Sequence, residues 1–303
     1  MPGIHTRREL LAASLALAGC AASPQPQTTT KPSRSADGTG SLSAIHKRIG
    51  GRLGVYAFDS HSGRHLGYDQ DSRYAMASTF KLPLAAALLW QVDRRAFSIE
   101  RMLPIARKDL LPNSPMVEQR LAEGATEMSV RELCVAAIAL SDNSAANILL
   151  TGIGGPEGFT SFMRTLGDGT TRLDRNEPDL NSNQPGDPRD TTTPRAMVES
   201  LAKIFSSDGF SLMARALLID WLGAARTGLD RVRAGLPTSW SPGDKTGTGA
   251  NGAVNDVVAA WPPKRKPVLI AVYMSESKLA NEPLIKAHAD IGALIAREFA
   301  AAG

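Results

Sequence analysis

Four short strings in this 303-residue chain set reactive groups at spacings that chemistry could use. Ser78-Thr79-Phe80-Lys81 stands at the head of the apolar run Leu82 to Trp90. In a helix, a serine and a lysine three apart share a face, and a serine at the helix start has outward backbone N–H groups close by. That layout suits a nucleophile whose proton an amine can take. The same serine would equally serve as a helix cap, and Ser-x-x-Lys recurs at Ser200–Lys203 and Ser275–Lys278. The pair alone decides nothing. Ser141-Asp142-Asn143 falls between two apolar helical patterns, where such a cluster ordinarily ends one helix and caps the next. Glu177-Pro178-Asp179-Leu180-Asn181 lies in the longest aperiodic stretch, Arg172 to Thr193. A loop of that length inside a domain is functional or disordered. Lys245-Thr246-Gly247-Thr248 ends a strand-like run.

The elements that must position these groups follow from periodicity. Leu42, Ile45 and Ile49 predict a short amphipathic helix. Arg52 to Asp59 and Arg64 to Tyr68 read as strands joined by a turn at 60–63. His61 and His65 have a metal-binding interval, but Ser62-Gly63 between them favours a hairpin, and no metal site is expected. Helical patterns then dominate from Ser78 to Gly223, including a capping box at Ser129–Glu132 and helices opened by Thr193-Pro194 and by Leu212. Strands return at Trp240–Thr248, Val254–Trp261 and Val268–Met274, and a last helix carries Leu284, Ile291, Leu294 and Phe299. Strands at both ends with helices between imply a discontinuous α/β lobe and an all-α insert.

Composition is that of an ordinary globular chain, 43% hydrophobic and 21% charged. Half of the formal +4 charge lies before residue 41, and no basic run is interleaved with aromatics. Nucleic-acid binding is set aside on that ground. Residues 1–20 read as an export address. Arg7-Arg8 precede the apolar run Leu10 to Ala18, too short to span a bilayer, and resemble a twin-arginine signal. Leu17-Ala18-Gly19-Cys20 resembles a bacterial lipobox with Cys20 lipidated; cleavage near Ala21-Ala22-Ser23 is the alternative. Residues 21–40, rich in Ser, Thr, Pro, Gln and Gly, read as a flexible linker. Cys134 lies in an apolar pattern and reads as a small buried hydrophobe.

Taken in order, Ser78-x-x-Lys81, Ser141-Asp142-Asn143, Glu177-x-x-Leu180-Asn181 and Lys245-Thr246-Gly247 resemble the motif set of the class A serine β-lactamases. The resemblance runs over residues 41–303. It implies an α/β fold of the β-lactamase/penicillin-binding transpeptidase type. One lobe, 41–72 with 224–303, would hold a five-stranded antiparallel sheet flanked by helices, and an all-α lobe would span 73–223. It implies Ser78 as nucleophile, Lys81 and Ser141 as proton carriers, and Glu177 with Asn181 holding the water that deacylates. The N–H groups of Ser78 and Thr248 would form the oxyanion hole. Asn143 would meet the acylamino side chain, and Lys245, Thr246, Gly247 and Thr248 the substrate carboxylate. Arg231 is similar to an arginine that assists there in some relatives. Arg175 and Asp190 would pair across an Ω-loop, and Glu177-Pro178 is a candidate cis bond.

The implied partners are a small β-lactam, penicillin or cephalosporin, and water, handled by a monomer in the periplasm without metal or cofactor. Such an enzyme confers β-lactam resistance. A D-Ala-D-Ala peptidase or a non-hydrolytic β-lactam sensor shares part of the motif set, but both lack a glutamate like Glu177. The chain also departs from some relatives. Ala85 stands where a few have a cysteine to pair with the residue matching Cys134. Ala77 and Gly249 stand where serine carbapenemases have a disulfide, which argues against carbapenem hydrolysis.

Overall fold

The runs Val254–Trp261 and Val268–Ser275 lack the polar alternation of a half-exposed strand, and the structure gives the reason: both are buried on two faces. In the computed structural model, which describes residues 36–206 and 209–300, the chain opens with α1 (Ala36–Ile49), β1 (Arg52–Asp59), β2 (His65–Tyr68) and β3 (Tyr74–Ala75). Then come α2 (Lys81–Asp93), β4 (Met102–Pro104), α3 (Pro115–Ala122), β5 (Glu127–Ser129), α4 (Val130–Ala139), α5 (Asn143–Gly152) and α6 (Gly155–Thr165). The remainder is β6 (Thr191–Thr192), α7 (Pro194–Ile204), α8 (Leu212–Gly223), β7 (Ser241–Thr248), β8 (Val254–Trp261), β9 (Val268–Ser275) and α9 (Asn281–Ala300). The twin-arginine string, Cys20 and most of the linker lie outside the described residues.

The main sheet has five antiparallel strands, as the resemblance implied, and their order is β2-β1-β9-β8-β7. Because side chains alternate along a strand, β9 feeds two cores. Ile270 and Val272 join Leu42, Val258, Ile291 and Phe299 beneath α1 and α9. Leu269, Ala271 and Tyr273 join Phe80, Leu84, Leu133, Leu149 and Leu201 among the central helices. Helix α7 rests on β1 and β9, and α8 on β7.

One boundary needs correction. Helix α1 begins at Ala36, so residues 36–40 belong to it and not to the linker. Their glycines read as spacer, but Gly38 is what lets the helix start sit on β2. A Cβ there would lie 2.8 Å from Leu66 Cδ1. Tertiary packing overrides weak local propensity at this point.

Two features of the fold set up the site. Strand β7 is the end of the sheet, so one of its edges is left for something other than a strand. The capping box at Ser129–Glu132 fixes the start of α4, with both reciprocal bonds made, and α4 delivers the chain to Ser141.

Candidate active site

Ser78 lies in a 3-10 turn, Ala77–Phe80, that runs directly into α2. It does not cap: neither the turn nor α2 has a side-chain cap, and Ser78 Oγ is committed elsewhere. Its neighbour Ala77 has φ +44, a left-handed conformation that costs a residue with a Cβ of order 1–3 kcal/mol. The turn is pinned from several sides. Asn255 Nδ2 donates to the carbonyls of Ala75 (2.9 Å) and Met76 (3.2 Å), and the Met76 N–H donates to Asp190 O at 2.9 Å. Such over-determination is what allows strain to persist.

Lys81 is fully buried one turn later. Its Nζ donates to Ser78 Oγ at 3.0 Å, to Ser141 O at 2.8 Å and to Asn143 Oδ1 at 2.6 Å, and lies 3.0 Å from Glu177 Oε1. Burial pushes its pKa below the usual lysine value, against the opposing pull of the Glu177 carboxylate. Ser141 has φ +58, a left-handed residue between α4 and α5. Asp142 then N-caps α5 by accepting from the Ala145 N–H at 2.9 Å. So the string does serve as helix punctuation, and the unusual backbone at Ser141 also aims its hydroxyl. Ser141 Oγ accepts from Lys245 Nζ at 3.0 Å and lies 3.4 Å from Lys81 Nζ. Asn143 is partly spent, since its Nδ2 also donates to Pro112 O at 2.9 Å. One amide hydrogen and one lone pair remain for a ligand.

Glu177 enters from the long loop. Its Oε1 accepts from Ser78 Oγ at 3.2 Å, and its Oε2 from Asn181 Nδ2 at 2.5 Å. The Glu177-Pro178 bond is cis. Arg175 Nε donates to Asp190 Oδ2 at 2.5 Å, while Asp190 Oδ1 accepts the N–H groups of Asp174 and Arg175. Fully buried, Asp190 thereby ties the two ends of the loop together.

Strand β7 supplies the opposite wall. A Cβ on Gly247 would lie 2.7 Å from Met76 O and 3.3 Å from Ala77 Cβ, so only glycine lets the strand edge approach the Ser78 turn. Gly247→Ala is therefore expected to lower kcat/KM and to destabilise by about 1–3 kcal/mol. Steady-state kinetics with a thermal melt checks both. Lys245 is fully buried, and burial followed by the neighbouring Lys81 ammonium push its pKa well down. Thr246 Oγ1 is 2.7 Å from Thr227 Oγ1. Arg231 donates to Gly247 O (3.0 Å), Asn255 O (2.6 Å) and Thr248 Oγ1 (2.9 Å). Neither Lys245 nor Arg231 has an ion-pair partner among the described residues. Two basic side chains without direct ion pairs thus back this wall, with the Asp244 and Asp256 carboxyl groups near both.

Ser78, Lys81, Ser141, Asn143, Glu177, Asn181, Arg231 and Lys245–Thr248 come together at this cleft, and Arg175 and Asp190 brace the loop beside it. A profile described as "Beta-lactamase enzyme family" matches residues 40–299. The solved class A β-lactamase of the last common ancestor of Gram-negative bacteria superposes with a TM-score of 0.85 at 46% identity, covering 87% of this chain and 100% of that one. The chain belongs to the class A β-lactamases. It is 44% identical to β-lactamase AST-1 of Nocardia asteroides, over 91% of each chain. It is also 44% identical to the carbapenem-hydrolyzing β-lactamase KPC of Klebsiella oxytoca, over 76% of this chain and 78% of that one.

Two residues of this β-lactamase site escape a reading by motif. Asn147 on α5 accepts the Glu177 N–H at 3.0 Å and donates to the Glu177 carbonyl at 2.9 Å, holding its peptide from both sides. Asn255 holds the chain just before Ser78, as above. The available signal was an amide inside an apolar run, Ala145–Leu150 and Val254–Trp261, since a buried amide must find partners. Asn147→Leu keeps the volume and leaves two backbone groups unpaired, about 1–3 kcal/mol each. It is expected to slow deacylation more than acylation, which rapid-quench kinetics separates.

The loop is also latched to the β7–β8 turn. Asn183 Nδ2 reaches Ala250 O (3.0 Å), Asn251 O (3.2 Å) and Ser275 Oγ (3.0 Å). Asn251 Nδ2 returns bonds to Ser182 O (3.2 Å) and Asn183 O (3.0 Å). Both asparagines have positive φ, which this residue type tolerates best after glycine.

Proposed function

We propose that this β-lactamase hydrolyses penicillins and cephalosporins through a Ser78 acyl-enzyme that a Glu177-activated water releases. One observation carries the reading. Ser78 Oγ lies 3.0 Å from Lys81 Nζ and 3.2 Å from Glu177 Oε1, so two bases reach the same hydroxyl. Ser78 Oγ attacks the lactam carbonyl carbon and gives its proton to one of them. The carbonyl oxygen becomes negative facing the N–H groups of Ser78 and Thr248. The ring C–N bond then breaks, and Ser141, between Lys81 and Lys245, passes a proton to the departing nitrogen. In the second half, Glu177 takes a proton from a water held with Asn181. That water attacks the ester carbon and frees Ser78.

The substrate carboxylate is held by Lys245, Thr246, Thr248 and Arg231, with Gly247 giving it room, and Asn143 meets the acylamino group. Ala77 and Gly249 leave the chain without the cross-link of the serine carbapenemases, which argues against carbapenem hydrolysis. The enzyme acts in the cell envelope as a monomer. Residues 1–20 direct its export, and it is either lipid-anchored at Cys20 or cleaved beyond it. It confers β-lactam resistance there. Steady-state turnover of nitrocefin is the expected result. A stoichiometric burst without turnover would overturn the hydrolytic reading in favour of an acylated peptidase or sensor.

A further inference from the structure

Helix α8, LMARALLIDWLG, is apolar on nearly every side, a pattern normal for a helix covered all round. It is not so covered. Ala214, Leu218, Trp221 and Leu222 face the core, while Leu212 is 79% exposed, Met213 54% and Ile219 37%. Leu212 and Ile219, seven residues apart, share the outer stripe that faces the groove, with Met213 on its flank. Beside that stripe a groove of about 940 Å³ runs between α8 and the turn joining β8 to β9. Its floor is Phe58, Phe205, Trp261 and Leu269, with Phe205 and Trp261 packed edge to face at 5.5 Å.

The rim is basic. Arg215, Lys264, Arg265 and Lys266 line it, and no carboxylate does. Arg265 is neutralised by Asp59 at 2.7 Å. Arg215, Lys264 and Lys266 have no ion-pair partner among the described residues, and Arg215 Nε is buried without a hydrogen bond. The nearest opposing charge in α8 is Asp220, on its exposed side. Exposed aliphatic side chains bordered by unpaired cations are the composition of a surface that lies on anionic lipid. No helix among the described residues is long and apolar enough to cross a membrane.

We propose that the outer face of α8, with the groove and the Lys264–Lys266 turn, seats the domain on an anionic lipid leaflet. Leu212, Met213 and Ile219 enter the acyl boundary, and Arg215, Lys264 and Lys266 meet the phosphates. The groove is separate from the Ser78 cleft, so the catalytic residues stay clear of the contact. In the cell this rests on the export proposed above, whereas binding to vesicles is read without it.

The test uses the full chain carrying Cys20→Ser, so that lipidation cannot contribute and the N-terminal segment is common to every variant. Co-sedimentation with phosphatidylglycerol-rich vesicles is expected to exceed that with phosphatidylcholine vesicles and to weaken with salt. Ile219→Asp, and separately Lys264→Glu with Lys266→Glu, are each expected to weaken it about tenfold. Nitrocefin turnover should be unchanged, reporting intact folding. Equal binding by parent and both variants would overturn the proposal. So would a dimer that Ile219→Asp dissociates without any lipid binding, or capture of free laurate in the groove without vesicle binding.

Discussion

Glu177→Gln is expected to acylate on mixing with a penicillin and then to stall. The substitution keeps the shape that Asn147 and Asn181 hold, but a neutral amide cannot take a proton from water. Loss of a positioned general base costs about 10²–10⁴ in rate, so the acyl-enzyme should accumulate, seen by mass spectrometry as a substrate-mass adduct. Unaltered turnover would remove Glu177 from its assigned role. The rate at which the adduct forms carries a second result. The Glu177 carboxylate is the chief opposing influence on Lys81. Without it, burial is opposed only by the weaker pull of Asp142, and Lys81 loses its proton more readily. Adduct formation as fast as in the parent would assign Ser78 deprotonation to Lys81, and a large slowing would assign it to Glu177.

Ser78→Ala is expected to give no adduct at all and to lower turnover by about 10⁶-fold, the scale seen when a serine nucleophile is deleted. Stability should not fall with it. Ser78 makes no capping bond, and Lys81 and Glu177 still face each other at 3.0 Å when the hydroxyl is gone. Removing a strained functional group often stabilises a protein, so the melting temperature should hold or rise. A marked drop would restore the structural role that a serine at a helix start ordinarily has.

How much of this was legible in the sequence depends on the range of the interaction. Strand β8 spans Val254–Trp261 as read, because Val254, Val257, Val258 and Trp261 favour a strand and Pro262-Pro263 ends it. Helix α6 falls in the span read only as broadly helical, and its start at Gly154 and Gly155, both at positive φ, was not marked out. In the site, the motif order led to Ser78, Lys81, Ser141 and Glu177, since each string carries its own chemistry. Asn147 and Asn255 carry none, and their part is to pin backbone from another element. The backbone state of Ser141 was likewise invisible, because nothing in Ser-Asp-Asn distinguishes a left-handed serine from an ordinary cap.

The paired asparagines Asn183 and Asn251 have a consequence for how such an enzyme can change. They fasten the loop that bears Glu177 to the turn that follows β7, with each partner supplying bonds. The two walls are therefore not independent variables. A substitution that widens the cleft on the strand side drags the Glu177 carboxylate with it, and one that loosens the loop shifts the strand. Under the proposed mechanism, breadth of substrate and speed of release are then traded through these two side chains, so an adaptive path that gains one without losing the other must first uncouple them.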